Sequence, residues 1–441
     1  MPTPAERLAP LLEALLGAEL PVRLRCWDGS ELGPADASAV MVLRRRRALR
    51  TLLWQPDELG LSRAYVSGDL DIDGDMYTVF DVPELVAKLA GNDGLTLSWG
   101  MKLRALATAF RLGAVGPRPR LPPEEDHHPR RGRRRSAKHS RARDAGSIRH
   151  HYDVGNEFYR LVLGPSLVYS CAYWTQAAGR AYGLEQAQQD KLELICRKLG
   201  LQPGMRLLDV GCGWGSLALH AARHHGVRVV GVTLSAEQAS LARHRVAEAG
   251  LSELVEVRVQ DYREVGDGPY DAIASVGMAE HVGARQLGAY CQTLFALLRP
   301  GGRLLNSAIS SPPSGEEGIV EPRSSFIDRY VFPDGELLPL AMMVDGFERA
   351  GFEVRDTENL REHYAQTLRA WVDNLDSNWV AAAGYTSEGR ARVWKLYMVG
   401  SALGFQSGQI AVNQVLAIKR DAAGESHMAP TRDHWALPAG G

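Results

Sequence analysis

Apolar residues recur along this chain with two different periods. Over residues 5–17, Leu8, Leu11, Leu12, Leu15 and Leu16 repeat at three and four, which predicts an amphipathic helix. Val22–Trp27 and Ala39–Arg45 read as short strands. Leu53–Asp75 is mixed and ends in Gly68-Asp69-Leu70-Asp71-Ile72-Asp73-Gly74-Asp75, which lacks the spacing and the terminal Glu of a calcium loop. Ser98–Leu112 reads as a basic amphipathic helix. Its Met101, Leu103, Leu106 and Phe110 suit core packing or membrane contact. Beyond about Ser147 strands and helices alternate: strand 205–210, helix 214–225, strand 227–232, helix 235–249, strands 255–259 and 270–276, helix 283–298 and strand 302–309. This alternation predicts a parallel sheet with right-handed crossovers and a ligand beyond the carboxyl ends of its strands. Glu353–Asp356 and Ile410–Ile418 supply the last two strands.

Composition changes the picture little. At 441 residues and 45% hydrophobic, the chain has material for two domains. The expected division is an N-terminal α+β domain over 1–115, a Pro/Arg-rich linker over 116–146, an α/β domain over 147–419 and a disordered tail over 420–441. The net charge of -1 selects no polyanionic partner. Charge is local instead, in Arg44–Arg47 and in the basic stretch Arg130–Arg143. Such stretches suit a solvated linker or docking on anionic phospholipid, at up to ~1 kcal/mol per basic residue. No nucleic-acid reader motif accompanies them, so nucleic acid is not an expected partner. Five cysteines without a Cys-x-x-Cys pair argue against a disulfide framework and against a metal site, and suggest a reducing cytoplasm. No signal-peptide pattern and no apolar run of ~18 residues is present, so membrane contact is expected to be peripheral, at the inner face of the cell membrane.

Candidate chemistry centres on Leu207-Leu208-Asp209-Val210-Gly211-Cys212-Gly213-Trp214-Gly215, a strand running into a glycine turn and a helix start. Glycines let a ligand lie against bare backbone, and the helix start offers unpaired N–H groups. The turn suits a dinucleotide or S-adenosylmethionine. A dinucleotide site prefers Gly-x-Gly-x-x-Gly and an acid ending the second strand. Here the second strand ends in Thr233-Leu234-Ser235, which favours S-adenosylmethionine. On that reading Asp209, Gly211, Gly213 and Gly215 cradle the amino-acid part. Thr233, Leu234 and Gln238 lie by the ribose, and Asp261 and Tyr262 by the adenine. Val276, where strand 270–276 ends, joins the cofactor set.

Three further stretches carry a resemblance. These are His150-His151-Tyr152-Asp153-Val154-Gly155-Asn156-Glu157-Phe158-Tyr159, then Tyr169-Ser170-Cys171-Ala172-Tyr173-Trp174, then Gly277-Met278-Ala279-Glu280-His281-Val282-Gly283. Together with the glycine turn they resemble the cyclopropane-fatty-acyl-phospholipid synthases and mycolic acid cyclopropane synthases, over nearly all of 147–419. Ser62-Arg63-Ala64-Tyr65-Val66-Ser67-Gly68-Asp69 fits that family's N-terminal domain. The resemblance implies a seven-stranded Rossmann-like class I methyltransferase domain with a smaller N-terminal α+β domain that associates with lipid. It implies methyl transfer from S-adenosylmethionine to a cis double bond of an unsaturated phospholipid. A carbocation follows, and a base, bound bicarbonate in the family, removes a proton to close the ring. Aromatic faces and anions must stabilise that cation in a dry tunnel.

Carried over by position, Tyr169 and Ser170 touch the cofactor, while Cys171, Glu280, the Ile309 backbone and Tyr364 hold the anion. His281 is either beside that pocket or structural. Ser307 stands where the family has a histidine, so it keeps a small donor and acceptor but loses the imidazole. Asn306 or a water then completes the pocket, or the anion site is weaker. A weaker site raises a second product, a methylene branch that a flavin- or nicotinamide-dependent reductase partner would reduce. A homodimer is also implied. A small-molecule methyltransferase and an inactive lipid-binding subunit are the remaining readings. Ser310–Leu340, Pro/Gly-rich and then apolar, is the expected lid over lipid.

Overall fold

The computed structural model describes residues 2–16, 22–80, 99–125, 155–179, 181–312, 326–332 and 335–437. Near the N-terminus, α1 (Pro4–Leu16) precedes β1 (Arg23–Arg25), β2 (Glu31–Leu32) and β3 (Ala39–Leu43). Then come α2 (Arg46–Trp54), α3 (Glu58–Val66), β4 (Leu70–Gly74) and α4 (Trp99–Arg111). The four strands form one sheet in the order β2-β1-β3-β4. β3 and β4 are antiparallel, with Leu43 opposite Leu70. That register sets the arginine run that follows Leu43 beside the acidic run around Leu70. Arg47 pairs with Asp69 and Arg44 with Asp71, and Arg45 stands 3.8 Å from Asp69. Arg44–Arg47 are exposed, in keeping with a solvated run, yet three of the four charges also answer acids within the fold, one of those acids being the buried Asp69.

The second sheet contains β5 (Arg206–Val210), β6 (Arg228–Thr233), β7 (Val255–Val259), β8 (Tyr270–Val276), β9 (Leu298–Ser310), β10 (Glu353–Asn359) and β11 (Ala411–Ile418), in the order β10-β11-β9-β8-β5-β6-β7. The helices that follow in chain order are α5 (Asn156–Leu163), α6 (Leu184–Leu199), α7 (Ser216–His225), α8 (Ala236–Glu248), α9 (Leu287–Leu297), α10 (Phe326–Tyr330), α11 (Leu340–Ala350), α12 (Arg361–Ser377), α13 (Trp379–Tyr385) and α14 (Glu388–Ser407), of which α10 and most of α14 belong to the compact unit of the first sheet. The parallel sheet of the sequence expectation holds for β5 to β9. β11 instead runs antiparallel between β9 and β10. Alternate strand residues enter two cores, one per sheet face: Leu207 and Val229 on one, Leu208, Val210, Val230 and Val232 on the other. Burial on both faces explains why these strands read as near-continuous apolar runs. The chain order reverses between β5 and β8, which makes their carboxyl ends the switch point where such sheets take ligands.

Two compact units interleave along the chain. One is Met1–Arg131 with Arg323–Val331 and Thr386–Leu403; the other is Gly132–Pro322, Phe332–Tyr385 and Gly404–Gly441. The linker expected over 116–146 therefore begins as structure. Glu125 is buried and accepts from Arg63 at 2.7 and 2.6 Å and from the Tyr330 hydroxyl at 3.0 Å. A buried carboxylate needs this many donors, and Phe326–Val331, one described stretch of the expected lid over 310–340, belongs with them to the first unit. The basic stretch 130–143, the motif residues 150–154 and residues 313–325 lie outside the described residues. The tail also differs from expectation. Trp435 is buried, the Lys198 ammonium lies 5.9 Å from its ring, and Arg197 donates to the Ala436 carbonyl.

Candidate active site

β5 delivers Asp209 to the switch point with only 2% of its surface exposed. Gly211, Gly213 and Gly215 follow with φ of 80°, 53° and 80°, a left-handed path that a side chain disfavours. Amides of Gly211 and Cys212 both donate to the Val232 carbonyl, at 2.9 and 3.0 Å, which ties the turn to the end of β6. A Cβ on Gly213 would project into open space, whereas one on Gly215 would meet Ala242 Cβ at 3.2 Å. Gly213 thus shapes a cradle, and Gly215 lets α7 and α8 pack closely. On the far side of the turn the Trp214 indole donates to Asn156 Oδ1 at 2.8 Å and stacks obliquely on Tyr159. This links the second half of the His150–Tyr159 stretch to the cradle.

Two recesses meet here. One is lined by Gly211, Gly213, Thr233, Leu234, Gln238, Asp261 and Tyr262, together with Gly277, Met278 and His281. The other is lined by Tyr169, Ser170, Asp209, Gly211, Gly213, Gln238 and Val276, together with Lys191 and Trp214. They share Gly211, Gly213, Gln238 and Gly277. Of the cofactor residues named from sequence, Gly215 alone lines neither. Thr233 donates to Gln238 Oε1 at 2.8 Å, which sets that amide across the junction. Arg263 grips both oxygens of Asp261, at 2.8 and 2.6 Å.

Lys191 is absent from the sequence-based set. It sits on α6, 3% exposed, and donates to Ser170 Oγ at 3.0 Å. Burial pulls its ammonium down to about 8, with Cys171 and Asp209 resisting. Burial pushes Asp209 up to about 7, with Lys191 resisting, and Asp209 Oδ2 has no hydrogen-bond partner. A lysine within an amphipathic helix reads as a solvated residue from sequence, so only the fold reveals it.

The second cluster surrounds the ends of β9 and β11. Glu280, on the 3-10 turn Ala279–His281, accepts from the Ile309 amide at 2.7 Å through Oε1, while Oε2 is buried without a partner. Burial raises this carboxyl to about 6, and the Ile309 N–H opposes the rise. Ile309 pairs with Val412, whose carbonyl accepts from the Leu360 amide at 2.8 Å; the Leu360 carbonyl accepts from Cys171 Sγ at 3.6 Å and from the Tyr364 amide at 3.0 Å. Glu280 thus meets Ile309 directly, while Cys171 and Tyr364 connect to that strand pair through the backbone of Leu360 and Val412. Ser307 lies two residues before Ile309 on the same strand face, and its carbonyl accepts from the Gly277 amide at 2.9 Å. Burial holds the Cys171 thiol protonated, far above the ordinary thiol range.

Two expectations change. Asn306 points to the opposite face, where Tyr290 donates to its Oδ1 at 2.8 Å, so it does not replace the missing imidazole. The Ile309 amide is taken by Glu280, so it positions the carboxylate. Sequence reasoning also missed Trp371. Its ring lies 5.5 Å from Tyr169 and 6.0 Å from Tyr364, and Tyr364 lies 4.6 Å from Phe405. Aromatic contacts therefore run from Tyr169, which lines the second recess, through the buried Trp371 to Tyr364 and Phe405. The seven-residue spacing of Tyr364 and Trp371 on one helix was the available signal.

Comparison with known proteins agrees with this architecture. The family model described as mycolic acid cyclopropane synthetase matches residues 139–415. The chain belongs to that family. A probable fatty acid methyltransferase of Mycobacterium tuberculosis, Rv3720, is 42% identical over 417 residues, covering 94% of this chain and 95% of the relative. The cyclopropane-fatty-acyl-phospholipid synthase of Escherichia coli is 40% identical over 266 residues, 60% of this chain and 66% of the relative. Among solved structures, the mycolic acid cyclopropane synthase CmaA1 complexed with SAH and CTAB is 35% identical with a TM-score of 0.58, covering 62% of this chain and 98% of its own. The match to the family thus centres on the seven-stranded domain, and the relationship to Rv3720 extends through the N-terminal unit.

Proposed function

We propose that this cyclopropane synthase family member transfers the methyl group of S-adenosylmethionine to the cis double bond of an unsaturated phospholipid chain and closes a cyclopropane ring. The alkene π pair forms the new C–C bond as the S–CH3 bond breaks. S-Adenosylhomocysteine leaves, and a carbocation remains on the chain. Loss of a proton from the added methyl group supplies the electron pair that closes the ring. The observation that carries this reading is Glu280: a buried carboxyl, held by the Ile309 amide, with its second oxygen left unpartnered.

Each residue then has a task. The open space before Gly213 and the unpartnered Asp209 oxygen fit the cofactor's amino-acid end. Thr233, Leu234, Gln238, Asp261 and Tyr262 line the nucleoside end. Tyr169, which lines the recess beside Asp209 and is backed by Trp371, offers a π face to a developing cation, worth ~2 kcal/mol or more in a desolvated site. Glu280, Ser307, Cys171 and Tyr364 would hold bicarbonate, which supplies the base that takes the proton. The raised Glu280 carboxyl fits an anion it can meet through a shared proton. Ser307 favours one second reading, in which a weaker anion site lets a hydride shift precede proton loss and gives a methylene branch for a partner reductase.

Incubation of the purified chain with methyl-labelled S-adenosylmethionine and oleoyl phosphatidylglycerol vesicles tests the reaction. Label should enter the oleoyl lipid and not its stearoyl counterpart. Equal or absent labelling of both would overturn it.

The substrate lies in a bilayer, and α4 suits that setting. Trp99, Leu103, Leu106 and Phe110 recur at four, three and four along it and are 80%, 64%, 53% and 75% exposed. Core packing, one of the two expectations, is thereby corrected for Leu103, Leu106 and Phe110. No acid occurs from Trp99 to Val115, and Lys102, Arg104 and Arg111 are basic. An exposed apolar stripe flanked only by cations complements an anionic bilayer. Among the described residues no helix is long and apolar enough to cross a membrane. The double variant Leu103→Glu/Phe110→Glu should bind phosphatidylglycerol vesicles at least about tenfold more weakly in sedimentation assays, since each buried side chain is worth ~1.5–3 kcal/mol. Unchanged vesicle binding would remove α4 from the docking face. Loss of a dimer in light scattering would assign the stripe to a second copy instead.

A further inference from the structure

α6 and α7 pack on each other through one buried apolar cluster that includes Leu192, Ile195, Leu217 and Ala221. Where the two helices meet, Cys196 of α6 is fully buried, and the side chains of His220 and His225 of α7 are 13% and 16% exposed. The Cys196 sulfur and one ring nitrogen of each histidine lie within 4.8 Å of one another. Glu193, one turn before Cys196, places Oε2 at 3.1 Å from His220 Nε2 and 3.0 Å from His225 Nε2, while its Oε1 accepts from Arg197 at 2.7 Å. Helix packing asks for apolar side chains here. It does not call for a thiol, two imidazoles and a carboxylate converging on one point. None of these four residues lines either recess of the cradle, so the reaction leaves them without a task.

We propose that Cys196, His220 and His225, with Glu193 as the fourth donor, bind one divalent zinc ion that staples α6 to α7. One thiolate and two imidazoles suit a borderline-soft ion, whereas magnesium and calcium take oxygen ligands. Ligands at about 2.0–2.3 Å from one ion stand roughly 3.3–3.8 Å apart in a tetrahedron, so small side-chain rotations on two fixed helices close the observed spread. The metal–sulfur bond forms as the Cys196 S–H proton leaves to solvent. The imidazoles bind through neutral lone pairs, so one proton is released per ion. Four protein donors make the site structural, and the half-buried histidines give the ion a way in. No metal-ligand spacing marks these residues in the sequence, because only the fold brings the two helices together. The staple braces the cradle from outside: α7 begins directly after Gly215, and α6 carries Gln188, whose side chain donates to the Ser170 carbonyl at 3.0 Å.

The full chain, stripped with a chelator, is titrated with Zn²⁺ and separately with Co²⁺ at about pH 8, above the ordinary histidine range. Wild type should take up one Zn²⁺ per chain, release about one proton, and unfold at a higher temperature with the ion bound. Co²⁺ should give a thiolate-to-cobalt charge-transfer band together with the visible bands of a tetrahedral ion. Cys196→Ala should lose the charge-transfer band and bind Zn²⁺ roughly a hundredfold or more weakly, one ligand's share of a four-donor site. His225→Gln, at the half-exposed rim, should weaken Zn²⁺ to a similar extent and carries the test should Cys196→Ala not fold. A wild type without the charge-transfer band would overturn the site. So would Zn²⁺ affinity unchanged in either variant, which would leave Glu193 a hydrogen-bond acceptor for two histidines of a packed helix pair.

Discussion

Glu280→Gln should lose about 10²–10⁴-fold in turnover while its affinity for S-adenosylhomocysteine stays within about twofold of wild type. The magnitude is that of a positioned acid–base group. The asymmetry follows from place. Glu280 sits on a 3-10 turn beyond β8 with its carboxyl on the Ile309 amide, and it lines neither recess of the cradle. Glutamine preserves the shape and can still accept from Ile309. It cannot share a proton with an anion or carry negative charge beside a cation. Initial rates on oleoyl vesicles, paired with calorimetry, check both halves. Turnover within threefold of wild type would remove Glu280 from the chemistry; a parallel loss of cofactor affinity would show that the variant damages the site as a whole.

Gly213→Val should lower cofactor affinity by at least about a hundredfold with a modest loss of stability. The residue has φ of 53°, where a β-branched side chain is strained by roughly 1–2 kcal/mol. No protein atom lies within 4 Å of the added Cβ, so the fold itself has room. The isopropyl group instead occupies the junction of the two recesses, where the cofactor must pass. Gly215→Val offers the contrast. Its Cβ meets Ala242 between two helices, so it should cost stability first. Thermal unfolding with and without S-adenosylhomocysteine distinguishes the pair: Gly213→Val should unfold within a few degrees of wild type and gain nothing from the ligand. A normal ligand-induced shift would displace the cofactor from this turn.

The α/β half of the fold was legible because parallel strands buried on both faces leave unmistakable apolar runs, as at Leu207–Val210 and Val227–Val232. The glycine turn was legible because left-handed backbone restricts residue choice. What escaped was long-range. Nothing local marks β11 as the antiparallel insert between β9 and β10, since its pairing with Ile309 joins residues about a hundred positions apart. The unit boundary escaped for the same reason: Glu125 finds Arg63 and Tyr330 at separations of 62 and 205 residues. Charge runs were legible only in part. Arg44–Arg47 are solvated as read, but only the Leu43–Leu70 register shows that acids stand beside them. Buried Lys191 carries no sequence mark at all, because a lysine in a helix is ordinarily a surface residue.

Lipid analysis of an oleoyl-rich host expressing this chain tests the central claim most directly. Mass spectrometry should show a gain of about 14 mass units on unsaturated chains, one methylene per alkene by the stoichiometry of the proposed step. Proton NMR should show ring protons far upfield. The same mass gain with vinylidene protons would keep the alkylation and replace ring closure by the methylene branch. A chain that binds S-adenosylmethionine, yet leaves every unsaturated lipid unchanged, would contradict the account.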